Sequence, residues 1–118
     1  MTSLLENENN QNGMKQNSFS VFQWNQLCSI YTDNFVKVNP QCLNWEFRKE
    51  RIKEILNSAS SDIYCLEEVD QYEFFNELFS EKGFNVIYEK KKTKNSPQGI
   101  LVAVNKEKFD ILESNIVY

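Results

Sequence analysis

The residues best suited to chemistry are acids at the end of an apolar run. In Asp62-Ile63-Tyr64-Cys65-Leu66-Glu67-Glu68-Val69-Asp70 the apolar stretch Ile63 to Leu66 stops abruptly at Glu67, Glu68 and Asp70. Carboxylates packed this closely repel one another and demand a neighbouring cation, whether lysine, solvent counterion or metal. Upstream, Ser18-Phe19-Ser20-Val21-Phe22-Gln23-Trp24-Asn25 has the same form, an apolar strand closed by a polar amide. Two strands that each bring one oxygen-bearing side chain to a common edge can build a site for a hard cation. One absence limits the chemistry: the sequence contains no histidine, the side chain that most readily exchanges protons near neutral pH.

The elements that must position these residues follow from periodicity. Phe19 to Trp24 reads as a strand with Phe19, Val21 and Gln23 on one face and Phe22 and Trp24 on the other, so both faces want cover. Residues 26–41 read as irregular, with one helical turn around Ile30 to Phe35. A helix is predicted from the N-cap Asn44 to about Ser58, because Trp45, Ile52, Ile55, Leu56 and Ala59 recur at helical spacing. The acid-ended strand follows. A second helix, Tyr72 to Phe79, turns Phe75, Leu78 and Phe79 inward, stops at Gly83 as its C′ residue, and is capped at its start by Asp70. Strands Phe84 to Tyr88 and Ile100 to Val104 read as a hairpin across the polar loop Glu89 to Gln98. A weak last strand is predicted over Ile111 to Tyr118. The order β-α-β-α-β-β-β means an α/β fold, a mixed sheet with helices on one side.

Composition narrows the classes. The 118 residues carry 13 basic and 17 acidic side chains, a net charge of −4, which argues against nucleic-acid binding by bulk charge alone. No apolar run approaches membrane-spanning length, and no membrane partner is expected. Cys28, Cys42 and Cys65 have no metal-ligand spacing and read as reduced thiols of an intracellular protein, with Cys65 in the core. Residues 1–17, rich in Asn, Gln and Glu, read as a disordered polar tail ahead of a domain at 18–118. A strand apolar on both faces with helices for only one suggests an unfinished domain whose sheet is covered by further chain or by a protein partner. A complete two-layer domain is the other reading.

Several of these pieces appear in a familiar order. Trp24-Asn25, the Trp45-x-x-Arg48-x-x-x-Ile52 helix, Cys65-Leu66-Glu67-Glu68-Val69-Asp70 and Gly99-Ile100-Leu101-Val102-Ala103-Val104 resemble the N-terminal part of the endonuclease/exonuclease/phosphatase superfamily. Within it the resemblance is to the carbon-catabolite-repressor deadenylases, nocturnin and their 2′-phosphodiesterase relatives, and it runs from Ser18 to Tyr118. The family usually has Leu-Gln-Glu-Val-Asp where this chain has Leu-Glu-Glu-Val-Asp. The resemblance implies the N-terminal portion of a four-layer αββα sandwich, a mixed sheet flanked by helices. It also implies a Mg²⁺-dependent phosphodiesterase or exoribonuclease, with Mn²⁺ as the alternative ion, acting on an RNA 3′ end or a nucleotide phosphate. Glu68 would bind the metal, and Asn25 would contact the metal-bound phosphate or its water; these two form the implied catalytic set. The localisation implied is cytoplasmic, or nuclear.

Departures from the pattern matter as well. The family's catalytic histidines, its Asp-x-Asn loop and its closing Asp-His pair have no counterpart here, and Gln98 stands where an acidic residue commonly precedes the glycine. The chain is therefore expected to be an inactive portion of a longer enzyme. The alternative is a non-catalytic interaction module built on the same fold. Arg48 is expected to form a salt bridge on the helix face, and Glu67 to be a solvated neighbour. Lys90-Lys91-Lys92-Thr93-Lys94 is expected to be a solvated loop, its alternative being contact with an RNA backbone. Tyr72, Phe74 and Phe75 read as core and not as a base-stacking platform.

Overall fold

The computed structural model describes residues 2–3, 17–28, 40–92 and 96–117. Among them the elements are β1 (Thr2–Ser3), β2 (Val21–Asn25), α1 (Pro40–Leu43), α2 (Trp45–Ser58), β3 (Ile63–Val69), α3 (Tyr72–Glu81), β4 (Phe84–Lys90) and β5 (Gly99–Asn105). The strands form one mixed sheet in the order β1-β2-β3-β5-β4. β2 and β3 run parallel, so both point their C-terminal ends to the same edge, while β5 is antiparallel to β3 and β4. That parallel pairing carries Asn25 opposite Glu67 and is the part of the fold that makes the site.

Strand alternation sorts the side chains cleanly. The register places Phe22, Trp24, Tyr64, Leu66, Leu101 and Ala103 on one face. Ile52 and Leu56 of α2 and Phe75, Leu78 and Phe79 of α3 close over it to complete the core. Tyr64 sits at the centre, 5.3 Å from the Phe22 ring and 5.0 Å from the Phe79 ring. Its buried hydroxyl is satisfied, donating to the Ala59 carbonyl and accepting from the Ser61 amide, both at 3.2 Å. The opposite face carries Val21, Ile63, Cys65, Val102 and Val104, half-buried. Cys65 thus lies on that second face and outside the core, because its strand position is one residue out of phase with Tyr64 and Leu66. Cys28 is the fully buried cysteine.

Helix ends follow local chemistry. Asn44 caps α2, its Oδ1 accepting the Glu46 amide at 2.9 Å. Gly83 follows α3 with φ +83°, a left-handed conformation that costs glycine nothing. Gly99 is required for a different reason: a Cβ there would lie 2.4 Å from the Glu89 carbonyl across the β4–β5 ladder.

Three expectations change. The N-cap of α3 is Gln71, without a side-chain cap bond; the helix starts at Tyr72 as expected, so Asp70 lies one residue too early to cap it. Residues 111–117 form no strand. Pro40 and Gln41, expected to be irregular, begin the short helix α1. The turn expected around Ile30 to Phe35 lies outside the described residues. So does most of the expected polar tail, although Thr2 and Ser3 pair antiparallel with Phe22 and Val21. No helix among the described residues is long and apolar enough to cross a membrane.

Candidate metal centre at the ends of two parallel strands

The site begins with an irregularity in β3. Leu66 pairs with Leu101 and Val69 with Gly99, so Glu67 and Glu68 together face the single residue Ile100. This is a β-bulge, a device that re-aims a side chain. Glu68 takes the extra position with φ 55°, a left-handed conformation that costs a residue with a Cβ about 1–2 kcal/mol. Glu67 keeps to the outer face of the sheet, where Gln23 Nε2 donates to both its carboxylate oxygens, at 3.3 and 3.4 Å. Glu67 is therefore held by a neighbour, where the sequence suggested a free bystander.

Glu68 is turned toward the end of β2. Asn25 Nδ2 donates to Glu68 Oε2 at 2.5 Å, and the Cys28 amide reaches Glu68 Oε1 at 3.4 Å. Asn25 Oδ1 in turn accepts the Leu27 amide at 2.9 Å, which fixes which end of the amide faces the carboxylate. Leu27 has φ 61°. Among the described residues the two non-glycine residues with positive φ are thus Glu68, a member of this side-chain pair, and Leu27, which donates to its other member. Strained backbone of this kind persists only where the surrounding contacts over-determine it.

Arg48 reaches this turn from α2. Its Nη2 donates to the Gln26 carbonyl and, at 2.6 Å, to the Leu27 carbonyl, while the guanidinium lies 5.8 Å from the Trp45 ring centre. The expected salt bridge on the helix face is replaced by this inward contact. Arg48 shares the helical stripe of the buried Ile52 and Leu56, spaced by four residues; an arginine on an inward stripe was the signal that sequence reasoning passed over. Burial pulls its guanidinium below the ordinary arginine value, opposed by Asp70 and Cys28. Asp70, no longer a helix cap, accepts from Cys28 Sγ at 3.6 Å. Beyond the bulge a cleft of about 340 Å³ is lined by Glu67, Glu68, Lys90, Lys91, Gln98 and Ile100, among others. Lys90 and Lys91 are exposed there and supply cations close to the acids; Lys94 lies outside the described residues.

The donor set can be tested against a cation. Each Glu68 oxygen accepts one N–H and keeps a second lone pair free. Oxygen donors at an open strand end suit Mg²⁺, which retains several waters and is commonly held by one or two carboxylates plus substrate phosphate. Among the described residues no group of three or more His, Cys, Asp or Glu gathers into a ligand cage. A closed, cysteine- or histidine-rich site does not fit these residues, whereas a hard ion resting on Glu68 does.

A mixed sheet with helices on one face, and a glutamate and an asparagine at adjacent strand ends, define an α/β domain with its polar site at one sheet edge. The fold matches the crystal structure of ANGEL2, described as a 2′,3′-cyclic phosphatase, with a TM-score of 0.73 and 24% identity over 80% of this chain and 29% of that one. The CCR4-Not complex 3′-5′-exoribonuclease subunit Ccr4 of Coccidioides immitis is 27% identical over 94% of this chain and 16% of its own length. Nocturnin of Rattus norvegicus is 32% identical over 80% of this chain and 25% of its own. No family model matches the chain. These likenesses support a CCR4/nocturnin-type endonuclease/exonuclease/phosphatase domain, and the chain spans less than a third of the length of these relatives.

Proposed function

We propose that Glu68 and Asn25 are the metal-binding end of a Mg²⁺-dependent phosphohydrolase acting on an RNA 3′ end or a nucleotide phosphate. The observation that carries this reading is the strained bulge that turns Glu68 out of the strand and onto Asn25. A bound Mg²⁺ would neutralise phosphate oxygens and stabilise charge that develops during in-line attack by water. Glu68 would hold the ion. The Asn25 amide would orient that carboxylate and present its N–H edge to the phosphate, and Gln23 would keep Glu67 from competing for the ion. Relatives named as a 3′-5′-exoribonuclease subunit and as nocturnin support this substrate class, as does the ANGEL2 structure in complex with adenosine-2′,3′-vanadate.

The 118 residues alone would not turn over substrate, because no histidine is available to move protons. The first test is direct. With Mg²⁺ present, the chain should release no adenosine monophosphate from oligo(A) and no phosphate from a 2′,3′-cyclic adenosine phosphate above background. In a catalytic domain of full family length carrying these residues, Glu68→Ala should lower kcat by more than the roughly 100-fold typical of losing a group that merely orients a ligand. Turnover by the chain itself, or near-normal kcat in the variant, contradicts the proposal. An interaction module on the same fold remains the second reading, favoured by the half-buried apolar face of Val21, Ile63, Val102 and Val104.

A further inference from the structure

The turn after β2 is unusual in being held from outside. Gln26 to Cys28 follow the strand with Leu27 at φ 61°, a conformation a leucine does not keep without restraint. One restraint is the Gln26 amide, bonded to the Glu67 carbonyl at 2.9 Å. The other is Arg48 of α2, whose Nη2 joins the Gln26 and Leu27 carbonyls. The same turn then supplies two N–H groups to the site: Leu27 to Asn25 Oδ1 and Cys28 to Glu68 Oε1.

We propose that Arg48 is a positioning residue of the candidate metal site, acting through the strained turn at Leu27 to fix the Asn25 amide and the Glu68 carboxylate. This rests on the reading of Glu68 as metal ligand. The chain of contacts is continuous: Arg48 Nη2 to the Leu27 carbonyl, the Leu27 amide to Asn25 Oδ1, Asn25 Nδ2 to Glu68 Oε2. Without the guanidinium the turn relaxes toward negative φ, the Leu27 amide leaves Asn25, and the amide is free to swing off the carboxylate. The other terminal nitrogen of the guanidinium, Nη1, finds no partner among the described residues. A lysine ammonium, one cluster of donors in place of Nη2, therefore retains the part of the side chain that is used.

The experiment compares the 118-residue chain with Arg48→Met and Arg48→Lys by residue-resolved amide hydrogen exchange and by Mn²⁺ broadening in the same proton–nitrogen spectra. Arg48→Met should speed exchange at Leu27 and Cys28 about tenfold or more, leave the β3–β5 amides unchanged, and weaken Mn²⁺ binding at Asn25 about tenfold. Arg48→Lys should restore most of both. Unaltered exchange at Leu27 and Cys28 overturns the proposal, and so does uniform acceleration across the sheet, which is the mark of a purely structural residue. Should Arg48→Met fail to fold, Arg48→Gln is read by the same criteria. Glu68→Gln separates the two ideas. If Mn²⁺ broadening at Asn25 is absent from the parent chain or survives Glu68→Gln, the metal reading fails, while the exchange data still decide the role of Arg48.

Discussion

Asn25 and Glu68 meet across the ends of two parallel strands, with Asn25 Nδ2 2.5 Å from Glu68 Oε2. Neither residue would reach the other in a regular ladder, because the partner of Asn25 in register is Glu67. The bulge at Glu67–Glu68 moves the next carboxylate into place and leaves Glu67 to Gln23. The pairing is a property of the irregular backbone, and its consequences can be separated by substitution.

Asn25→Ala and Asn25→Asp should differ in sign once metal is added. Alanine removes the donor and should weaken metal binding about 10–100-fold, the usual cost of losing a group that orients a ligand. Aspartate places a second carboxylate against Glu68, so the metal-free chain should melt below the alanine variant. Saturating Mn²⁺ should then raise the melting temperature of Asn25→Asp more than that of the parent, since the ion relieves the repulsion. Thermal melts with and without Mn²⁺ check both statements, and an equal metal response in the two variants contradicts them.

Glu68→Gly should trade function for stability. Glycine adopts φ 55° without a Cβ penalty, so removing the left-handed glutamate should leave stability unchanged or raise it by up to about 1 kcal/mol. Metal binding at Asn25 should vanish. Denaturant unfolding gives the first quantity; a loss of more than about 1 kcal/mol would show that Glu68 is a structural residue and not a strained functional one.

Alkaline stability should be set by the Tyr64 and Tyr88 hydroxyls and the Cys65 thiol. Burial pushes the Tyr64 and Tyr88 hydroxyls above their ordinary value of 10.0, with Asp70 adding to the Tyr88 shift. Burial, then Glu67, pushes the Cys65 thiol above 9.0. The native state therefore keeps protons that the unfolded chain has released. Stability from these groups is complete below pH 9.0 and falls as pH rises through the range above it. Tyr64→Phe should flatten that fall while costing about 1 kcal/mol at neutral pH through the lost hydrogen bonds. An alkaline limb of the same steepness in the variant would assign the fall to other groups.

The sequence carried the sheet and the helices because their signals are local. The apolar run Ile63 to Leu66, the Asn44 cap and Gly83 each act within a few residues, and each appears where expected. The strand ends of Asn25 and Glu68 were legible for the same reason. The bulge was not, because a glutamate at positive φ leaves no mark in composition; the reason for it lies in the pairing of Val69 with Gly99 on another strand. Arg48 was misplaced because helix-face charges usually meet water, and the carbonyls that draw it inward belong to a distant turn. Asp70 shows an error of one residue in the cap: the helix starts at Tyr72 as expected, and the residue directly before it is Gln71.

The most direct test of the central claim is a Mn²⁺ titration of the isotopically labelled chain, read as paramagnetic broadening residue by residue. Broadening centred on Asn25, Cys28 and Glu68, abolished by Glu68→Gln, is the result that follows from a metal held at the bulge. Broadening that centres on Asp62 or Asp110, or that persists unchanged at Asn25 after Glu68→Gln, would contradict it.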